Sequence, residues 1–136
     1  MSYRLVTLIL WPAIFLYTLK IAWRHRSLRY LKQRLGFAYP QFNQPPLWIH
    51  CASVGETNTA LPLLRQLLAA YPQQTLLMTT NTPTGAFIVK KNQLPNTVHC
   101  YLPIESRGAI NRFLKHTQAR LALILETEIW PLLYQQ

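Results

Sequence analysis

The chain has 136 residues, half of them hydrophobic, which suffices for one domain with a sizeable core and excludes a disordered tail as its main content. Fourteen Lys and Arg stand against four acids, for a formal net charge of +10. That balance seeks polyanions (nucleic acid, anionic lipid headgroups or phosphorylated substrates), and composition alone does not choose among them.

The first element is the run Leu5 to Leu19, LVTLILWPAIFLYTL, which is uncharged and bracketed by Arg4 and Lys20. A spanning helix needs roughly 20 residues. Snorkelling by Lys20 and inclusion of Ile21 to Trp23 bring the run to about that length. Trp11, Tyr17 and Trp23 are residues expected near a membrane interface. Pro12 would kink the helix, so the segment either spans or lies within one leaflet. The stretch Lys20-Ile-Ala-Trp-Arg offers no small-residue cleavage site, which argues against a cleaved signal peptide. Residues 1–23 are therefore expected to form an apolar membrane-associating helix.

Residues 24–46 read as a basic linker closed by Gln44-Pro45-Pro46. Seven of the fourteen cations (Arg4, Lys20, Arg24, Arg26, Arg29, Lys32 and Arg34) fall in the first 34 residues, where there is no acid. Cations beside an apolar leader, without interleaved exposed aromatics, point to anionic membrane lipids rather than nucleic acid. A basic flank after the apolar run places the body of the chain on the cytoplasmic side.

From residue 47 onward, four short apolar runs recur: Leu47 to Cys51, Thr75 to Thr79, Val98 to Leu102 and Leu121 to Leu125. They are apolar nearly throughout, as strands buried on both faces are. Helical segments lie between them, at Thr57 to Ala70, roughly Thr84 to Lys91, and Arg107 to Thr117. This alternation predicts an α/β fold, a parallel sheet with flanking helices, occupying residues 47–136. Ligands of such sheets bind outside the carboxyl ends of the strands. Cys51 and Cys100 have no partner at a zinc or redox spacing and read as reduced core residues, and no histidine spacing suggests a metal.

Three strand-end loops carry polar groups. Ser53-Val-Gly-Glu56 fits a capping box, in which Glu56 serves only to start a helix. Gly55 there either lets the backbone approach a ligand or permits a tight turn. Thr82-Pro83-Thr84-Gly85 reads as a helix start, with Thr82 at the cap and Pro83 at the first helical position. Amides at such a start can also hold an anion. Glu126 either caps the next helix or faces the cleft, and Glu128, Trp130 and Pro131 read as structural.

The blocks HCASVGET, TTNTPTG and LETEIWP, in this order and spacing, resemble the signatures of the amino-terminal domain of Kdo (3-deoxy-D-manno-octulosonic acid) transferases. Arg34-Leu-Gly-Phe37 and the apolar leader add to the likeness. The resemblance implies a Rossmann-like lobe of a two-lobed GT-B glycosyltransferase. Its reaction would be the inverting, metal-independent transfer of Kdo from CMP-Kdo to a lipid A precursor, lipid IVA, at the cytoplasmic face of the inner membrane. No cofactor beyond that donor substrate is expected. By the same resemblance Glu56 is the base that deprotonates the acceptor hydroxyl. Glu126 orients the acceptor or tunes Glu56, and Ser53, Gly55, Thr82, Thr84 and Gly85 contact the acceptor. A separate carboxyl-terminal lobe would bind CMP-Kdo, and this chain stops short of it. Cys51 replaces a small residue such as Ala, and Ile104-Glu105 replaces a Tyr-Asp pair, so no role passes to Glu105. The competing reading is a non-catalytic, membrane-anchored lipid-binding module.

Overall fold

The computed structural model describes residues 3–125 together with 131 and 133. Helix α1 runs Tyr3–Arg24 and contains Pro12. It is apolar on all sides, with no polar face to turn toward water. Ile9, Leu10, Leu16, Tyr17 and Trp23 remain exposed along it. No helix among the described residues is long and apolar enough to cross a membrane. The carboxyl-terminal part of α1 packs inward: Ala22 joins a buried cluster with Tyr30, Ala86 and Tyr101. A domain boundary at residue 23 would therefore cut through core.

The segment read as a basic linker holds a second helix, α2, at Leu28–Arg34. Ser27 starts it by accepting a hydrogen bond from the Tyr30 amide at 3.1 Å. Gly36 ends it with a φ of +88°, a conformation that favours glycine. A Cβ there would also come within 2.6 Å of the Ala109 Cα, so glycine is required twice over.

The four apolar runs form strands β1 (Leu47–His50), β2 (Leu76–Thr80), β3 (Thr97–Tyr101) and β4 (Leu121–Ile124). All pair in parallel, in the order β3-β2-β1-β4, with Leu47 opposite Leu76 on one side and Leu121 on the other. This is the strand order of the first half of a doubly wound sheet, whose direction of winding reverses between β1 and β4. Helices α3 (Val54–Ala70), α4 (Pro83–Asn92) and α5 (Arg107–Thr117) make the crossovers. Ile49, Cys51, Leu64, Leu68, Leu76, Met78 and Val89 fill the layer beneath α3 and α4. Trp48, Leu77, Cys100, Leu102 and Phe113 fill the opposite layer beneath α5, where the Trp48 and Phe113 rings meet edge to face at 4.9 Å. Both cysteines are buried and free of disulfides, as expected, and burial pushes each thiol up to about 12.

Helix α2 has a structural task that a linker could not perform. Arg29 donates to the His99 carbonyl, and the Gln33 side-chain oxygen accepts from the Tyr101 amide at 3.0 Å. These are backbone groups that a further strand beside β3 would otherwise take, so one edge of the sheet is closed by two side chains four residues apart. Arg34 continues the docking by donating to the Leu102 carbonyl at 2.7 Å, while its own carbonyl accepts from the Ile104 amide. Two cations that the sequence offers to lipid headgroups are thus committed to the sheet.

Candidate active site

The carboxyl ends of β1, β2 and β4 converge on one surface. Beyond β1 the ladder continues for one residue, with the Cys51 amide donating to the Thr79 carbonyl at 3.0 Å. Ser53 then caps α3 in extended conformation. Its hydroxyl accepts from the Glu56 amide at 3.2 Å and donates to Glu56 Oε1 at 2.8 Å. Glu56 Oε2 accepts from the Ala52 amide at 2.6 Å. The capping box is therefore real, with the carboxylate reaching one residue further back than the cap itself. Glu56 is only 8% exposed and lies in the first turn of α3, where the helix dipole favours negative charge. Each carboxylate oxygen uses one of its two acceptor positions in these bonds, so capping leaves capacity to accept a further proton donor.

The two glycines of the site differ. Gly55 is exposed, its φ is not positive, and a Cβ there would meet nothing closer than Ser53 Oγ at 3.8 Å. The tight-turn account of Gly55 therefore fails, because the backbone adopts an ordinary helical conformation. Space above the first turn of α3 is what the glycine leaves. Gly85, by contrast, is buried, and a Cβ would lie 3.1 Å from the Thr80 Cβ. It lets α4 press close to the end of β2. Thr82 caps α4 by accepting from the Gly85 amide at 3.2 Å and lies 3.0 Å from the Thr84 hydroxyl. Thr84 is exposed at the helix start, and Pro83 occupies the first helical position.

Glu126, Glu128 and Trp130 lie outside the described residues. The backbone leading to them is described as far as Leu125, whose amide donates to the His50 carbonyl at 3.1 Å. The carboxyl ends of β1 and β4 thus lie side by side, at the reversal point where open α/β sheets hold their ligands.

Two residues of this surface carry signals that sequence reasoning missed. His50, inside the HCASVGET block, is buried with Nδ1 2.8 Å from Thr79 Oγ1. That hydroxyl already accepts the Trp48 indole N–H at 2.8 Å. Nδ1 also lies 3.2 Å from the Thr79 carbonyl, so the ring is held against both polar groups of that residue. Arg34 reaches Asn81 Oδ1 at 3.3 Å as well as Leu102. It ties α2 to the loop that follows β2.

The sequence model of the 3-deoxy-D-manno-octulosonic-acid transferase (kdotransferase) family matches residues 29–136. The chain belongs to that family. The match opens at Arg29 and takes in all of α2 but its first residue, the whole sheet and every candidate site residue, while α1 precedes it. Among relatives, the Kdo transferase of Haemophilus influenzae is 42% identical over 117 residues, covering 82% of this chain and 27% of that protein. A probable mitochondrial Kdo transferase of Arabidopsis thaliana is 37% identical over 135 residues, covering 95% of this chain and 29% of its own length. The Kdo transferase of Bordetella pertussis is 34% identical over 107 residues, covering 72% and 24%. The chain spans a little over a quarter of the length of the first two of these Kdo transferases.

Proposed function

We propose that this chain is the acceptor-side lobe of a GT-B Kdo transferase, docked on the cytoplasmic face of the inner membrane through α1 and its basic flank. The reaction read here is transfer of Kdo from CMP-Kdo to lipid IVA, a phosphorylated, acylated glucosamine disaccharide. The observation that carries it is the buried Glu56 carboxylate, held by Ala52 and Ser53 at the winding reversal of a sheet in a member of this family. As the acceptor hydroxyl oxygen attacks the anomeric carbon, Glu56 takes its proton. The bond from that carbon to the CMP phosphate oxygen breaks, and CMP leaves with the electron pair. Attack opposite the leaving group inverts the anomeric centre, and the scheme calls for no metal. Gly55 leaves room for the acceptor sugar. Ser53, Thr82, Thr84 and the first-turn amides around Gly85 bind it, and Glu126 orients it. A further lobe binds CMP-Kdo.

The test requires this chain joined to the carboxyl-terminal lobe of a family member. Glu56→Gln keeps the size and much of the cap but removes the proton acceptor. Turnover should fall by about 10²–10⁴-fold, the usual contribution of a general base. Ser53→Ala breaks the cap and removes one hydrogen bond to Glu56 but leaves the carboxylate in place, costing about 1 kcal/mol of stability and lowering turnover by less than Glu56→Gln does. A folded Glu56→Gln enzyme at the parent rate would return Glu56 to capping and move the base to Glu126. The second reading, a non-catalytic lipid-binding module, draws on the engagement of both Glu56 oxygens in the cap, and a folded two-lobed protein with no turnover would favour it.

A further inference from the structure

The carboxyl end of the sheet borders a second concavity, between α1 and the loop after β3. It is a cleft of about 470 Å³ lined by Ala13, Ile14, Tyr17, Arg34, Ile104 and Glu105. That is the size of a small-molecule site. Three of its walls come from one side of α1, and Leu10, exposed, precedes them on the same stripe, since positions 10, 13, 14 and 17 share a helix face. The stripe gives an apolar track about 10 Å long, at 1.5 Å per residue, leading into the cleft.

At the inner end of the track stands Arg34. Its guanidinium bonds are to neutral acceptors, the Leu102 carbonyl and Asn81 Oδ1. The titratable groups that act on it most are the hydroxyls of Tyr17, Tyr30 and Tyr39, and the Glu105 carboxylate lines the same cleft. Arg34 Nε is buried and has no hydrogen-bond partner among the described residues, although the Tyr30 hydroxyl lies near the guanidinium. Burial lowers the Arg34 pKa, the mark of a cation held away from water, and the three tyrosine hydroxyls oppose that shift. Buried charges are normally paired, and a guanidinium is the side chain best suited to a phosphate.

We infer that this cleft binds an amphiphile bearing a phosphate ester, with the phosphate on Arg34 and the chain along Leu10, Ala13, Ile14 and Tyr17. The choice of phosphate over other anions, and of the natural ligand, rests on the acceptor reading. The cleft would then seat one phosphorylated, acylated end of the acceptor while the sugar hydroxyl reaches the turn after β1. Glu105, on the same cleft, opposes the anion and sets a second test of sign.

The probe is dodecyl phosphate below its micelle-forming concentration, titrated calorimetrically into the whole chain at 0.15 M salt, where surface charges are largely screened. Dodecyl maltoside is the uncharged control. Saturable binding of the phosphate, absent for the maltoside, is expected. Ala13→Trp fills the cleft from an exposed helix position and should weaken binding at least tenfold. Glu105→Gln should tighten it by about threefold. Arg34→Lys keeps the charge but loses the fork, and should weaken binding if the variant folds. Equal binding of the maltoside, unchanged binding by Ala13→Trp, or weaker binding by Glu105→Gln would overturn the inference. If dodecyl phosphate binds as expected but lipid IVA does not displace it, the cleft stands and the acceptor reading falls.

Discussion

Gly55 and Gly85 occupy matching places, each in the first turn of a helix that follows a parallel strand, yet they lack a side chain for different reasons. Ala at position 85 would press on Thr80, whereas Ala at 55 would enter open space. Gly85→Ala should therefore destabilise the chain by about 1–3 kcal/mol, as overpacking does. Gly55→Ala should stabilise it by roughly 0.5–1 kcal/mol, the helix-propensity difference between the two residues. If the space above Gly55 belongs to the acceptor, the same substitution should weaken acceptor binding while raising the melting temperature. Melting curves and an acceptor titration on both variants check this, and a Gly55→Ala chain that melts lower would remove the argument. From sequence the two positions look alike, because each glycine follows a Ser or Thr cap. What separates them is a contact across the helix–strand interface, which no local pattern records.

His99 shows how tightly α2, α4 and β3 are coupled. It sits under Arg29 and Lys90 with Nε2 2.9 Å from Thr80 Oγ1, and burial first, then those two cations, lower its pKa to about 3. The unfolded chain holds this imidazole near its ordinary value of about 6.5. Between those values the unfolded state binds the extra proton, so the stability His99 contributes is full above about pH 6.5 and is lost as pH falls toward 3. The melting temperature of the parent should drop from pH 7 to pH 5, before most carboxylates titrate. His99→Asn should flatten that decline, and equal slopes for the two proteins would reject the assignment. The four strands, α3, α4 and α5 were legible to within a residue or two at most ends except the start of α3, which comes at Val54 rather than Thr57, because apolar runs, caps and Pro83 mark them locally. Helix α2 was not. Its seven residues are too few to show periodicity, and its cations read as solvent-facing until sheet groups some 70 residues distant claim them. For the same reason the capping half of Glu56 was legible and the cleft at Arg34 was not.

Across the whole molecule, the proposed membrane docking draws on both the net charge of +10 and the exposed apolar residues of α1. Binding to vesicles rich in anionic phospholipid is expected, weakening as salt rises because exposed charges are screened. Flotation at low and high salt checks this, with duplex DNA as the competing polyanion. A chain that floats with neutral vesicles as well as with anionic ones would assign the attraction to α1 alone. Removing residues 1–23 is a poorer variant than the sequence suggests, since Thr18 is buried and Ala22 packs in a cluster with Tyr30, Ala86 and Tyr101. The closure of the β3 edge by α2 also has a bearing on synthesis. Arg29, Gln33 and Arg34 find their partners at His99, Tyr101 and Leu102, and Gly36 finds Arg112, separations of 70, 68, 68 and 76 residues. At about 5–20 residues per second, α1 and α2 emerge roughly 4–15 s before the groups that α2 must clasp. During that interval α2 and its cations are undocked beside an apolar helix, available to whatever anionic surface they meet before the lobe has closed around them.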